Sequence, residues 1–208
     1  MDKVKALSEA MSGQPDWMDG HSIRVMEYAV EIGKAMGLSA KSIETLRMAG
    51  LLHDIGKVDT CASVLEKRGG LTSTEFELVK LHPVHGAEIL CQSDTLSLVA
   101  QVIRHHHERY DGTGYPDGLK DDGIPFLSRI LYVADAFDSM TADRPYRKAP
   151  GKDYAVSELI RCAGTQFDPG VVWEFLKIAG DFPSGREYSA DSLADLAPGL
   201  PFKKQKPV

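Results

Sequence analysis

Apolar residues recur every three or four positions through most of this 208-residue chain, the spacing of one face of an α-helix. No segment shows the sustained apolar–polar alternation and β-branched enrichment that are typical of a strand. We therefore expect an all-α protein. The pattern predicts helices over about 2–11, 19–36, 40–57, 74–80, 83–92, 94–107, 125–142, 152–163 and 169–179, with one short further helix near 190–197.

The distribution of apolar residues predicts one main domain with two short ends. With 43% apolar residues the chain can bury a core without disulfides. Apolar density falls beyond Asp181, where Pro, Ser, Gly and charged residues dominate. We expect an N-terminal helix or extension over 1–16, the main domain over 17–180 and a partly irregular tail over 181–208.

Cysteine content, hydropathy and charge limit the cellular setting and the partners. Cys61, Cys91 and Cys162 are odd in number and far apart, which indicates reduced thiols in a cytoplasmic protein. The N-terminus lacks the apolar stretch of a signal peptide, and no uncharged apolar run approaches the roughly 18 residues that span a bilayer. A formal net charge of −6 argues against nucleic acid polymers as partners, because they bind broad basic surfaces.

Potential metal ligands share the apolar faces of the predicted helices. His21 lies on one face with Val25, since positions three or four apart fall on one side of a helix. His53 shares a face with Leu46, and Asp54 follows it directly. Each has an ordinary alternative, which is a core histidine satisfied by one hydrogen bond or a chance pair.

Four further histidines lie just before, within the first turn of, or at the end of predicted helices. His82 comes before Pro83, which suits the first turn of a helix, and His85 is a weaker candidate. His106 and His107 lie three and four residues beyond a buried isoleucine and share its face.

The neighbours of this histidine pair have other expected roles. His105 should turn away from the buried face. Glu108 either accepts a hydrogen bond from an imidazole or is an exposed charge at a helix end.

Two carboxylates lie in the middle of a predicted apolar helix. Asp135 and Asp138 are costly to bury there unless they are paired or bind a metal, and a helix cap cannot explain them. Five helices each direct a His or Asp into one interior, which predicts a metal site. Imidazole and carboxylate ligands without thiolate suit Fe, Mn, Zn, Co or Ni.

A long Gly-rich loop follows the histidines directly and begins with residues 110–119. A loop of this length inside a compact domain is often functional. Tyr115 within it could pack against a base or a partner protein, or the loop could be a structural turn.

Together these segments form a set of motifs that resembles the HD-GYP domain, a branch of the HD phosphohydrolase superfamily. The resemblance runs from His21 to Arg147 and more loosely to Ala179. The motifs are His53-Asp54-Ile55-Gly56-Lys57, His82-Pro83-Val84-His85-Gly86, His106-His107-Glu108 through Gly114-Tyr115-Pro116, Asp135-Ala136-Phe137-Asp138 and Asp143-Arg144-Pro145-Tyr146-Arg147.

The resemblance implies a helical bundle with a five-helix core plus accessory helices, and an activity. Members hydrolyse cyclic di-GMP to linear pGpG and often on to GMP, and we expect a hydroxide bridging two metal ions to attack phosphorus. The implied metal ligands, with Asp54 bridging, are His21, His53, Asp54, His82, His106, His107 and Asp135. The implied catalytic and substrate residues are Asp54, Lys57, Asp138, Arg144 and Arg147, with Asp138 near Lys57. Tyr115 of the Gly-rich loop is a further candidate for binding substrate.

One departure from the family bears on the number of metal ions. Members with three metals carry a glutamate four residues before the first histidine, and this chain has Trp17 there. We expect two divalent ions, with iron or manganese favoured.

Other functions stay open at this point. The substrate could be another cyclic dinucleotide such as cyclic GMP-AMP, or a nucleoside monophosphate. The domain could also be a catalytically silent docking module, with the loop around Tyr115 contacting a protein partner, or a diiron oxygenase. The oligomeric state is not indicated.

Overall fold

The computed structural model describes residues 16–59, 64, 67, 69–91, 93, 96–143 and 148–181. Helices predicted over 2–11 and 190–197 lie outside these residues, as does Cys61. Cys91 and Cys162 are free thiols. The division into an extension, a main domain and a tail stays a prediction.

Eight α-helices make up the described part of the chain, which contains no strand, so the all-α expectation is confirmed. None of these helices is long and apolar enough to cross a membrane. The helices are α1 (Asp16–Ala35), α2 (Ala40–Leu52), α3 (Ser73–Val79), α4 (His82–Leu90), α5 (Ser97–Arg104), α6 (Phe126–Thr141), α7 (Lys152–Arg161) and α8 (Pro169–Ile178).

Two helices end earlier than the apolar pattern predicts, and both end at histidines. The helix expected over 40–57 stops at Leu52 and continues as the 3-10 helix Ile55–Asp59. The helix expected over 94–107 runs only over α5, and its histidines occupy the turn that follows. Apolar periodicity does not detect these stops, because the turn residues are buried as well.

Five helices form the core of the bundle. α1 packs against α2 and α6, α5 packs against α2, α4 and α6, and α4 also packs against the 3-10 helix. α7 and α8 cover α6, and α8 also contacts α1, whereas α3 buries none of its residues. The five core helices bring their ends or inward faces to one interior that holds the polar residues.

Close backbone contact joins the 3-10 helix to α4 at Gly56. A Cβ atom there would overlap the carbonyl oxygen of His82 and the amide nitrogen of Gly86. Both partners are backbone atoms, so the overlap could be relieved only by moving α4. Gly56 thus keeps His82 beside Asp54.

We expect Gly56→Ala to destabilise the protein by about 1–3 kcal/mol, because overpacking a tight contact shifts the backbone. Chemical denaturation measures the change. Gly123→Ala is the matched control, since a Cβ atom there meets nothing within 4 Å. Equal stabilities of the two variants would contradict the close-contact interpretation.

Candidate metal centre

Three of the buried histidines donate hydrogen bonds to backbone carbonyl groups at the ends of helices. The Nδ1 atom of His53 donates to the carbonyl oxygen of Gly50 at 2.8 Å in the last turn of α2. His82 donates in the same way to the last residue of α3, at 2.7 Å, and His106 to the last turn of α5, at 2.6 Å. The last carbonyls of a helix lack the usual helical partner four residues on, and these bonds use them to fix the orientation of each ring.

These bonds also leave one bare nitrogen on each ring. Since Nδ1 carries the hydrogen, Nε2 holds a lone pair, and none of the three Nε2 atoms has a hydrogen-bond partner. The residues are 0–1% exposed. Buried polar atoms are rarely left without a partner, and imidazole lone pairs of this kind are donor atoms that fit metal cations.

Burial favours the neutral imidazoles of His82, His106 and His107. Burial lowers the pKa of His82 to about 3 although the Asp54 carboxylate opposes the change. Burial likewise lowers the pKa of His107 to about 4 and that of His106 well below its ordinary value. Neutral imidazole is the form that binds metals, so these three side chains are ready to act as ligands near neutral pH.

Asp54 lies between two groups of possible ligands. Its Oδ2 atom is 3.5 Å from Nε2 of His53, and its Oδ1 atom is 3.5 Å from Nε2 of His82. Ligand bonds of about 2.0–2.2 Å place two atoms on one ion roughly 3 Å apart, so each spacing suits a shared ion. Burial raises the pKa of Asp54, but Lys57 and the nearby imidazoles outweigh it and lower the pKa well below the ordinary value.

Two clusters in the described part of the chain could each hold a metal ion. In each cluster the possible ligand atoms lie within 4.8 Å of one another. One cluster contains His21, His53 and Asp54, and the other contains His82, His106 and His107. All six residues were expected from the sequence, and the structure brings them together.

His21 differs from the other histidines because carboxylates surround it. Nδ1 donates to Oδ2 of Asp138 at 2.7 Å, and Nε2 lies 3.3 Å from Oδ1 of Asp135. Burial would lower its pKa, but these hydrogen bonds raise the pKa of His21 to about 9. The raised pKa favours a protonated His21 paired with both carboxylates, and a metal ion bound by His21 would compete with that proton.

The expected substrate residues are described only in part. Lys57 donates to Oδ2 of Asp54 at 2.6 Å and is partly exposed. The expectation that Asp138 lies near Lys57 is not supported by its contacts, which are with His21 and Arg24. Arg144, Arg147 and the side chain of Trp17 lie outside the described residues.

Glu108 organises the Gly-rich loop, and both roles expected for it are wrong. It is buried, and its carboxylate accepts the backbone N–H groups of Asp117 at 2.7 Å and Leu119 at 3.1 Å. The closed loop sets the Tyr115 ring 5.1 Å from the ring of His107. The loop therefore forms one wall of the histidine cluster.

The two remaining histidines lie outside the clusters. His105 turns away as expected, with Nδ1 on the carbonyl of Gln101 and Nε2 on Asp117. His85 is half-buried and belongs to neither described cluster. Arg24 was missed by the sequence analysis, although it lies three residues after His21 on the same side of α1.

The described residues form a helical bundle around buried histidines and aspartates that could bind metal ions. The family model for the HD domain matches residues 5–171. The chain belongs to the HD domain family, and the resemblance found in its motifs is confirmed.

Curated relatives and a solved structure agree with this family. The chain is 40% identical over 166 residues to the cyclic di-GMP phosphodiesterase PA4108 of Pseudomonas aeruginosa, covering 79% of this chain and 40% of the relative. It is 36% identical to 3'3'-cGAMP-specific phosphodiesterase 3 of Vibrio cholerae, covering 80% and 36%. This chain therefore spans well under half the length of these relatives.

The fold also matches a crystal structure of a cyclic GMP-AMP specific phosphodiesterase from V. cholerae. The TM-score is 0.64 at 22% identity, and the match covers 93% of this chain and 50% of the other. At this identity the likeness supports the fold alone. It agrees with the five-helix core and its accessory helices.

We expect Mn²⁺ to raise the melting temperature of the metal-free protein by about 5 °C or more, because a ligand that binds only the folded state stabilises it. The shift should shrink in His106→Ala, which removes one possible ligand from the cluster of His82, His106 and His107. His105→Ala is the control, since its ring faces Asp117 instead. Equal shifts in both variants, measured by scanning calorimetry, would contradict the donor set.

Proposed function

We propose that this chain is a metal-dependent phosphodiesterase that hydrolyses cyclic di-GMP to linear pGpG. The observation that carries the proposal is the set of three buried Nε2 atoms without hydrogen-bond partners, two of which lie 3.5 Å from the buried carboxylate of Asp54. Relatives named as cyclic di-GMP phosphodiesterases support the substrate. The test is turnover of cyclic di-GMP by the purified chain with defined metals.

The proposed metal ligands are the two clusters with Asp135 added. His21, His53 and Asp135 would hold one ion, the second cluster the other, and Asp54 would contribute one oxygen to each. We propose two ions per chain and favour iron or manganese, which suit imidazole and carboxylate ligands without thiolate. When bound, such ions polarise phosphoryl oxygens and lower the pKa of water.

The residues of the chain supply the contacts to the substrate. The Lys57 ammonium is partly exposed beside Asp54, where it can donate to a phosphate oxygen and stabilise developing negative charge. Arg144 and Arg147 are proposed to bind phosphate as well. Tyr115 stands against His107 and can stack on a base at the wall of the pocket.

The contacts of Asp138 favour a different role from the catalytic one that the resemblance implies. It is 1% exposed, and its oxygens accept from His21 and Arg24. A carboxylate so enclosed holds an imidazole in place. We therefore propose that Asp138 orients His21.

A second cyclic dinucleotide is a specific alternative substrate. The relative that shares 36% identity is named as specific for 3'3'-cGAMP. The residues proposed to bind phosphate and metal would serve either dinucleotide, so contacts to the bases would decide which of the two is hydrolysed. Parallel turnover of cyclic di-GMP and 3'3'-cGAMP, with product analysis for pGpG and GMP, separates the two proposals.

We expect Asp54→Ala to abolish hydrolysis and to lower the metal content, because both proposed ions lose a ligand. Metal analysis of anaerobically prepared protein and a turnover assay measure the two effects. Glu44→Ala, an exposed carboxylate on α2, is the control and should behave like wild type. Full activity of Asp54→Ala would refute the proposed centre.

Arg144→Ala should lower kcat/KM by about 10-fold or more while leaving the metal content unchanged. A hydrogen bond to a charged phosphate contributes about 1.5–3 kcal/mol, and the residue is proposed to bind substrate and not metal. Steady-state kinetics and metal analysis of the same preparation test this. Unchanged kinetics would show that the assignment is wrong.

A further inference from the structure

His21 is held by a different kind of acceptor from the histidines that cap helices. Those three donate from Nδ1 to backbone carbonyls, whose positions the helices fix. His21 lies in the second turn of α1 and donates to the side chain of Asp138 on α6. A side-chain acceptor can rotate, so the orientation of His21 depends on what fixes this carboxylate.

Arg24 fixes it through two parallel hydrogen bonds. Its Nε atom donates to Oδ1 of Asp138 at 2.6 Å, and its Nη2 atom donates to Oδ2 at 3.0 Å. Such a two-pronged pair of a guanidinium and a carboxylate sets the plane of the carboxylate as well as its position. Oδ2 remains directed at His21, whose opposite nitrogen faces Asp135.

The Arg24–Asp138 pair joins a partly exposed side chain to a buried one. The Arg24 side chain is 39% exposed, whereas that of Asp138 is 2% exposed. Arg24 touches none of the bare Nε2 atoms in the contacts of the described residues, so it acts through Asp138 and His21. The cluster of His82, His106 and His107 uses backbone or ring contacts that do not involve this chain of bonds.

We propose that Arg24 is a positioning residue for one of the two metal positions, the one formed by His21, His53 and Asp54. This inference rests on the proposed two-metal centre. It predicts that loss of Arg24 lowers the affinity for one of the two ions and leaves the affinity for the other nearly unchanged. The direction of the change in metal affinity is informative, because removing a positive charge near a cation would by itself strengthen binding of that cation.

The test is titration of metal-free protein with Mn²⁺, followed by calorimetry and by the electron paramagnetic resonance signal of a coupled Mn²⁺ pair. We expect wild type to bind two ions. Arg24→Gln should bind the first ion within about twofold of wild type and the second about 10- to 100-fold more weakly, the range seen when groups that orient metal ligands are lost. The signal of the coupled pair should be lost at equal Mn²⁺.

Three further variants separate positioning from general damage. Arg24→Lys keeps the charge but cannot form the two parallel hydrogen bonds to Asp138, so its affinity for the second ion should be intermediate. If Arg24→Gln does not fold, the affinity of Arg24→Lys decides the test. Arg161→Gln breaks a fork of the same kind with Glu158 on the surface of α7 and should bind Mn²⁺ like wild type. In Asp138→Asn, adding Arg24→Gln should cause no further loss of affinity, because the two residues act in series.

Several results would overturn the inference. One is an unchanged affinity for the second Mn²⁺ ion in Arg24→Gln, and another is an equal loss of affinity for both ions. The others are a wild type that binds fewer than two Mn²⁺ ions and additive losses of affinity in the double variant. The proposed function fails separately, if wild type binds two ions but does not hydrolyse a cyclic dinucleotide. Selective loss of the second ion in Arg24→Gln would still support the role of Arg24.

Discussion

The hydrogen bond from a histidine to a carbonyl at a helix end is the interaction on which this site depends. The last carbonyls of a helix lack their usual helical partners, and His53, His82 and His106 each donate to one from Nδ1. The same bond selects the tautomer and points Nε2 away from the helix. Because three helices end at one interior, their bare nitrogens converge, and the negative ends of the helix dipoles favour a cation there.

Such a site is costly to the metal-free fold. Unpaired buried nitrogens and the buried Asp54 and Asp138 each lose hydration, at about 1–3 kcal/mol or more for each unsatisfied group. The protein offsets part of this cost with opposite charges, since Lys57 pairs with Asp54 and Arg24 with Asp138. The apolar core formed by the same helices offsets the remainder of this cost.

The Gly-rich loop is tied to the site by buried polar contacts and not by an apolar face. Glu108 accepts two loop amides, and Gly114 approaches the backbone of residues 107–109 so closely that a Cβ atom would overlap it. The result is a Tyr115 ring held against His107. A loop fixed in this way can shape a pocket without belonging to any helix, because its own hydrogen bonds replace helical ones.

The sequence by itself determined the helix content and the set of inward histidines and aspartates, because apolar periodicity and the positions of His21, His53 and Asp135 are local properties. It also revealed the family, through motifs that need no coordinates. Only the tertiary structure decided where the helices end, that Asp138 accepts from both His21 and Arg24, and that Glu108 accepts a backbone amide of the Gly-rich loop. These depend on contacts between residues up to 117 positions apart, which a periodic pattern along one chain does not encode.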